Sequence, residues 1–273
     1  MADQVETTRA GVRRDRQRRS RSARLFVRDI LLIFLAALVI SFLVKTFLIR
    51  SFYIPSESME NTLQLNDRII VNQLVPDLTP ISHGDVVVFQ DPGGWLTQTP
   101  EPQQNWFVGA VDAVLAFVGL SAPDSNDHLI KRVIGLPGDT VVCCNEFGQL
   151  TVNGVSLDEK QYVKLPEGAS QVTRDTFEVT VPEDSLWVMG DNRYSSADSA
   201  YHRNDPAGGF VPVENVVGRA LVVSWPINRW QWLDDYPFVF REVEEAAAAL
   251  PPGREASSSG SSGGDTPSDD PGE

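Results

Sequence analysis

Fifteen consecutive residues, Ile30 to Val44 (ILLIFLAALVISFLV), carry no charge and a single hydroxyl. With Lys45 snorkelling and Phe47, Leu48 and Ile49 continuing the run, the stretch reaches the roughly 20 residues that cross a bilayer core. A cleavable leader has a short basic start and ends at a small-x-small site. Here the basic region is long, and Lys45-Thr46-Phe47 follow. The run therefore reads as an uncleaved anchor, in preference to a signal peptide or a buried helix. Residues 1–28 hold nine arginines, no lysine and three acids, a balance of +6, whereas the remainder totals −20. Positive charge stays on the cytoplasmic side of a span. The N-terminus is thus expected in the cytoplasm and everything after residue 50 outside it. A basic arm beside a span serves membrane topology, so no nucleic-acid partner is expected.

Beyond the anchor the pattern is that of strands. Arg68–Val71, Asp85–Phe89, Leu129–Ile134, Thr140–Cys143 and Leu186–Met189 are short and rich in β-branched residues. Turn formers punctuate them, as at His83-Gly84-Asp85 and Leu136-Pro137-Gly138-Asp139. Asn153-Gly154 between two short apolar runs is a two-residue hairpin signal. The expected fold is mostly β: a coiled antiparallel sheet domain behind one N-terminal transmembrane helix. Its divisions are a disordered basic tail (1–28), the span (29–50), a folded domain (51–241) and a disordered acidic Ser/Gly-rich tail (242–273). Within the folded domain, residues 92–127 read as an insertion whose apolar stretch Trp106–Leu120 is too short to cross a bilayer. It reads as a helix, either dipping into the membrane interface or packed on the β domain. The C-terminal composition cannot bury a core.

Only two cysteines occur, adjacent at Cys143 and Cys144. They form either a vicinal disulfide or, in the reading adopted here, an inert pair pointing to opposite faces of a strand. No C-x-x-C spacing exists, so no structural zinc is expected. His83, His128 and His202 carry no local signature of a catalytic base, and His83 and His128 are expected at the surface.

Ile54-Pro55-Ser56-Glu57-Ser58-Met59 is more informative. On an extended strand alternate residues share a face, so Ser56 and Ser58 can flank one carbonyl, one attacking and one donating a hydrogen bond. A serine nucleophile needs a base. Lys131 lies in an apolar strand between Leu129 and Val133, where desolvation disfavours the ammonium form. Arg132 has equally apolar neighbours, but a guanidinium is not a usable base. The third segment, Met189-Gly190-Asp191-Asn192-Arg193-Tyr194-Ser195-Ser196-Ala197-Asp198-Ser199, is a polar turn directly after an apolar strand.

Together, PSESMENTL, KRVIGLPGD and GDNRYSSADS, in that order behind one anchor, resemble the type I signal peptidase family of bacteria over roughly residues 30–230. The resemblance implies a serine endopeptidase that removes signal peptides from exported preproteins after small residues (Ala-x-Ala), without metal or cofactor. It implies Ser58 as nucleophile, Lys131 as general base, and Ser56 with the Ser58 backbone N–H as oxyanion donors. Ser196 would orient the lysine amine and Asp198 would support the late segment structurally. Preproteins and membrane lipid would be its partners, and the chain would act as a monomer in the cell membrane. One departure stands out: the family usually has Arg two residues after that Asp, where this chain has Ala200. Arg203 or Arg193 is the expected substitute. Three other readings are weighed. A self-cleaving Ser/Lys repressor would be soluble and carry a DNA-binding domain, a scaffold that lost its dyad would lack Ser58 or Lys131, and a binding module would leave a preprotein uncut.

Overall fold

The computed structural model describes residues 25–44, 47–96 and 127–249. Most of the basic tail, of the 92–127 insertion and of the acidic tail lies outside them. Helix α1, Leu25–Val44, has a mean hydropathy of 2.5 and buries none of its apolar window against the rest of the chain. A helix apolar on all sides with no protein around it belongs in hydrocarbon. The chain is a single-pass membrane protein with a large extracytoplasmic β domain. The helix starts earlier and ends sooner than the expected 29–50. Ile49 and Arg50 already belong to strand β1 (Ile49–Tyr53), because their backbone pairs with Asn72 and Val71 of β2 (Arg68–Asn72).

The domain is mostly β, a large antiparallel sheet curled into half a barrel, with a smaller sheet beside it. Four more strands of the large sheet are β3 (Val86–Gln90), β4 (His128–Gly135), β9 (Ser185–Met189) and β11 (Val216–Trp225), with the short β10 (Val211–Pro212) and β12 (Gln231–Trp232) at its margins. Its order is β1-β2-β11-β3-β4-β9-β10, with β12 paired to β11. The smaller sheet comprises β5 (Thr140–Cys143), β6 (Leu150–Val152), β7 (Val155–Ser156) and β8 (Phe177–Thr180), ordered β7-β6-β5-β8. Asn153 and Gly154 join β6 to β7 with φ of 52° and 82°. That left-handed pair suits the twist of a two-residue hairpin.

One apolar cluster packs Phe52, Met59, Leu63, Val71 and Ile130 on one face of the large sheet. Phe89, Trp95, Val133, Val188 and Val216 form another. A third joins the smaller sheet, through Val141 and Leu150, to Trp187 and to helix α3 (Pro237–Ala249). Short helix α2 (Ser199–His202) lies between β9 and β10. Helix α3 corrects the expected domain end at residue 241. Val239, Phe240 and Val243, on one helical face, are buried in that third cluster, so apolar burial orders the Glu- and Ala-rich residues 242–249 as well.

Two smaller expectations are also revised. His83 is 6% exposed rather than superficial: its Nε2 lies 2.8 Å from Asp139 Oδ2 and its ring stacks on Phe240. Cys143 and Cys144 are joined as a vicinal disulfide instead of pointing apart. Trp225, Trp230 and Trp232 are 54%, 55% and 66% exposed, and Ile227 is 77% exposed.

Candidate active site

Ser58 lies just past β1, but not on an extended strand as its spacing suggests. The chain turns at Glu57: Glu60 N–H donates to Glu57 O, and Thr62 and Leu63 N–H donate to Met59 O. Met59 and Leu63, both fully buried, pin this turn to the sheet. The two hydroxyls still converge, with Ser56 Oγ 3.2 Å from Ser58 Oγ. Ser56 is exposed and Ser58 is buried, so the pair runs from solvent to interior.

Lys131 approaches from β4, whose central position in the large sheet fixes its backbone by pairing with β3 on one side and β9 on the other. Its Nζ donates to Ser58 Oγ at 2.8 Å and to the Ile130 carbonyl at 3.0 Å. The side chain is 3% exposed. Burial pushes its amine from the usual lysine value down to about 8, against the opposing pull of Asp198 and Asp191. An amine that loses its proton so much more easily than an ordinary lysine, within hydrogen-bond reach of a hydroxyl, can in its neutral form accept that hydroxyl's proton. Among the described residues no cluster of His, Cys, Asp or Glu is arranged to hold a metal.

The turn after β9 braces this pair. Asn192 N–H donates to Ser58 O at 3.0 Å, and Asn192 Nδ2 donates to Glu57 O at 3.1 Å. Gly190 packs so closely that a Cβ there would stand 2.5 Å from Ser58 O and 2.3 Å from Ser196 Oγ. No side chain fits.

A family model described as "Signal peptidase, peptidase S26" matches residues 27–225, a range that takes in the anchor, the serine turn, β4 and the turn after β9. The chain belongs to the signal peptidase family. It is a membrane-bound endopeptidase of the signal-peptidase type. "Probable signal peptidase I" of Mycobacterium leprae is 44% identical over 65% of this chain and 68% of its own. "Signal peptidase I" of Mycobacterium tuberculosis is 38% identical over 75% and 74%. A crystal structure of a signal peptidase I from Enterococcus faecalis V583 aligns over 51% of this chain and 95% of its own, at 26% identity and a TM-score of 0.32.

In this signal peptidase the residues expected around Ser58 and Lys131 are only partly arranged as the sequence suggests. Ser196 Oγ is buried beside Gly190 yet makes no hydrogen bond among the described residues, so the expected bond to the lysine is absent. Asp198 caps α2, accepting from Ala200 N–H at 3.1 Å, and accepts from Gly190 N–H at 2.9 Å. Neither proposed arginine pairs with it. Arg203 binds Asp175 and the Ala200 carbonyl, and Arg193 binds Glu159.

Sequence reasoning missed the strongest electrostatic feature of the neighbourhood. Arg132 and Asp191, both fully buried, form a two-pronged ion pair at 2.9 and 2.8 Å. Thr62 also donates to Asp191, and Arg132 reaches the carbonyls of Gly84 and Asp234. The guanidinium stacks over Tyr162, 4.3 Å from its ring centre. Arg132 had been named only to exclude it as a base, and Asp191 only as one polar residue of a turn. An apolar strand containing an arginine was the available signal, since a guanidinium so placed demands a carboxylate. Which carboxylate, 59 residues away, is a matter of topology.

Proposed function

We propose that this enzyme cleaves N-terminal signal peptides from exported preproteins after small residues of Ala-x-Ala type, by a serine–lysine mechanism. The observation that carries the reading is the desolvated Lys131 amine 2.8 Å from the Ser58 hydroxyl. In its neutral form the amine takes the hydroxyl proton as Ser58 Oγ attacks the scissile carbonyl. The resulting alkoxide charge is met by Ser58 N–H and Ser56 Oγ–H. Lys131 then passes the proton to the leaving amine, the C–N bond breaks, and an ester links Ser58 to the signal peptide. A water, deprotonated by the same lysine, hydrolyses that ester and restores the serine.

Ser196 joins by rotating its free hydroxyl onto the lysine, orienting the amine toward Ser58. Asp198 supports the late turn through Gly190 and α2. The anchor holds Ser58 about ten residues beyond the membrane exit, where a membrane-held signal sequence emerges, and raises their effective concentration. Trp225, Trp230 and Trp232 rest in the lipid interface, for which their amphipathic rings are suited. The enzyme acts as a monomer and uses no cofactor.

The test is processing of a model preprotein with an Ala-x-Ala site by the full-length protein in detergent. Two products are expected from the wild type and none from Ser58→Ala. Equal cleavage by both proteins would refute the reading.

A further inference from the structure

Six carboxylates are buried among the described residues, and five of them are matched by a basic side chain. Asp67 pairs with Arg229, Asp85 with Arg219, Asp139 with His83, Glu159 with Arg193 and Asp191 with Arg132. Asp198, 2% exposed, makes no ion pair among the described residues and is held by two backbone N–H groups. The buried cations show the converse. Arg132 and Arg193 each grip a carboxylate, whereas Lys131 touches only a hydroxyl and a carbonyl. One unmatched anion and one unmatched cation thus remain, and the same residue stands between them. Gly190 gives its N–H to Asp198, while its Cα face packs on the carbonyl of Ser58, the residue that Lys131 binds.

We propose that Asp198 is the counter-charge of Lys131, stabilising through space the ammonium that forms when Ser58 gives up its proton, and that Ala200 leaves it free for that task. This rests on the serine–lysine reading above and assigns Asp198 a positioning role in charge as well as in shape. Desolvation alone drives a buried amine toward neutrality, which makes it available as a base but too weak to retain the serine proton. A carboxylate acting through a medium of low dielectric restores part of that proton affinity.

The other charged groups on elements packed around the lysine are already engaged. Asp191 belongs to Arg132, Asp85 to Arg219 and Glu60 to Lys164, and Glu57 is exposed to solvent. Around Asp198, Arg203 is bound to Asp175, Arg174 to the Tyr194 carbonyl, Arg193 to Glu159, and His202 to Asp205. The lysine itself is drawn upward by Asp198 more than by Asp191. Asp198 and Ala200 line one cavity of about 460 Å3, next to Ser196. An arginine at position 200 has room there to reach the carboxylate and neutralise it.

The experiment measures preprotein cleavage against pH for the full-length protein in detergent, as wild type, Asp198→Asn and Ala200→Arg. The wild-type rate should rise with pH as Lys131 deprotonates. Removing the carboxylate's charge, or pairing it, makes the ammonium easier to deprotonate. The midpoint of the rise should therefore move to lower pH in both variants, by about one unit. Should Asp198→Asn fail to fold, Ala200→Arg, which retains the cap, carries the test alone. Variants that are slower with an unmoved midpoint mean that Asp198 is a structural cap only, and the inference falls while the dyad stands. A wild type that does not cleave, or whose rate is flat with pH, brings down the dyad and this inference with it.

Discussion

Lys131 and Arg132 are neighbours on one strand, equally buried, and surrounded in opposite ways. Arg132 meets a two-pronged carboxylate, a hydroxyl, two carbonyls and an aromatic face. Lys131 meets one hydroxyl and one carbonyl. The arginine's proton affinity rises above its ordinary value, chiefly through Asp191 acting against burial, while the lysine's falls to about 8 because burial prevails. Burial by itself does not make a base. What separates a structural cation from a reactive one here is the withholding of a contacting counter-ion, and a single strand does both by presenting successive side chains to different surroundings.

The strongest way to break the contrast is to make the two residues alike. Lys131→Arg keeps the positive charge but places a group that cannot deprotonate beside Ser58. Preprotein cleavage should fall by at least about 1,000-fold, measured by single-turnover processing, with membrane insertion unchanged. Retained activity in that variant would mean that position 131 supplies charge and not a base.

Next in size is the loss of the arginine's partner. Asp191→Ala leaves a buried guanidinium uncompensated and should cost about 3–5 kcal/mol in denaturant unfolding. A loss below 1 kcal/mol would show that the Arg132 cluster is held by its carbonyls and tyrosines instead.

The lysine should behave in the opposite sense. Its folded-state pKa of about 8 lies below the ordinary 10.5, so the folded protein favours the neutral form. Protonation at lower pH therefore costs stability, fully so below about pH 8. The cost is relieved as pH rises from there towards 10.5. Lys131→Met should consequently stabilise the protein near neutral pH by up to about 3 kcal/mol. That advantage should shrink in unfolding experiments at higher pH, and a pH-independent difference would contradict the depressed pKa. The smallest effect is expected at the spacer between the two chemistries. Gly190→Ala forces a methyl against Ser58 O and Ser196 Oγ. It should cost about 1–3 kcal/mol of stability, with cleavage reduced further than stability alone explains, because the serine carbonyl must shift.

Much of this is legible in the amino-acid sequence. Ile30–Val44 reads as a span in preference to a signal peptide or a buried helix, since fifteen uncharged residues follow a long segment with nine arginines and no small-x-small site comes after them. Strands β2, β4, β5 and β9 announced themselves by β-branched runs between turn residues, and Asn153-Gly154 by the left-handed turn it permits. Local rules suffice for these because the information lies within a few residues. The helix that closes the domain was illegible for the converse reason. Val239, Phe240 and Val243 are three apolar residues before an Ala-rich stretch, and only the cluster around Trp187 gives them something to cover.

At the centre of the molecule the division is sharper. Sequence alone determined that a serine, a lysine and a polar turn follow an anchor in a given order, and that a guanidinium could not act as the base. Only the tertiary structure decided that Ser58 sits in a turn and not on a strand, that Arg132 owns Asp191, that Arg203 and Arg193 are engaged elsewhere, and that Asp198 is left without a cation. Ion pairing and desolvation depend on distance in space and on what else competes for each charge. Chain positions 58, 131, 191 and 198 acquire those relations only when β4 and β9 pair in the sheet and the serine turn packs against the turn that follows β9.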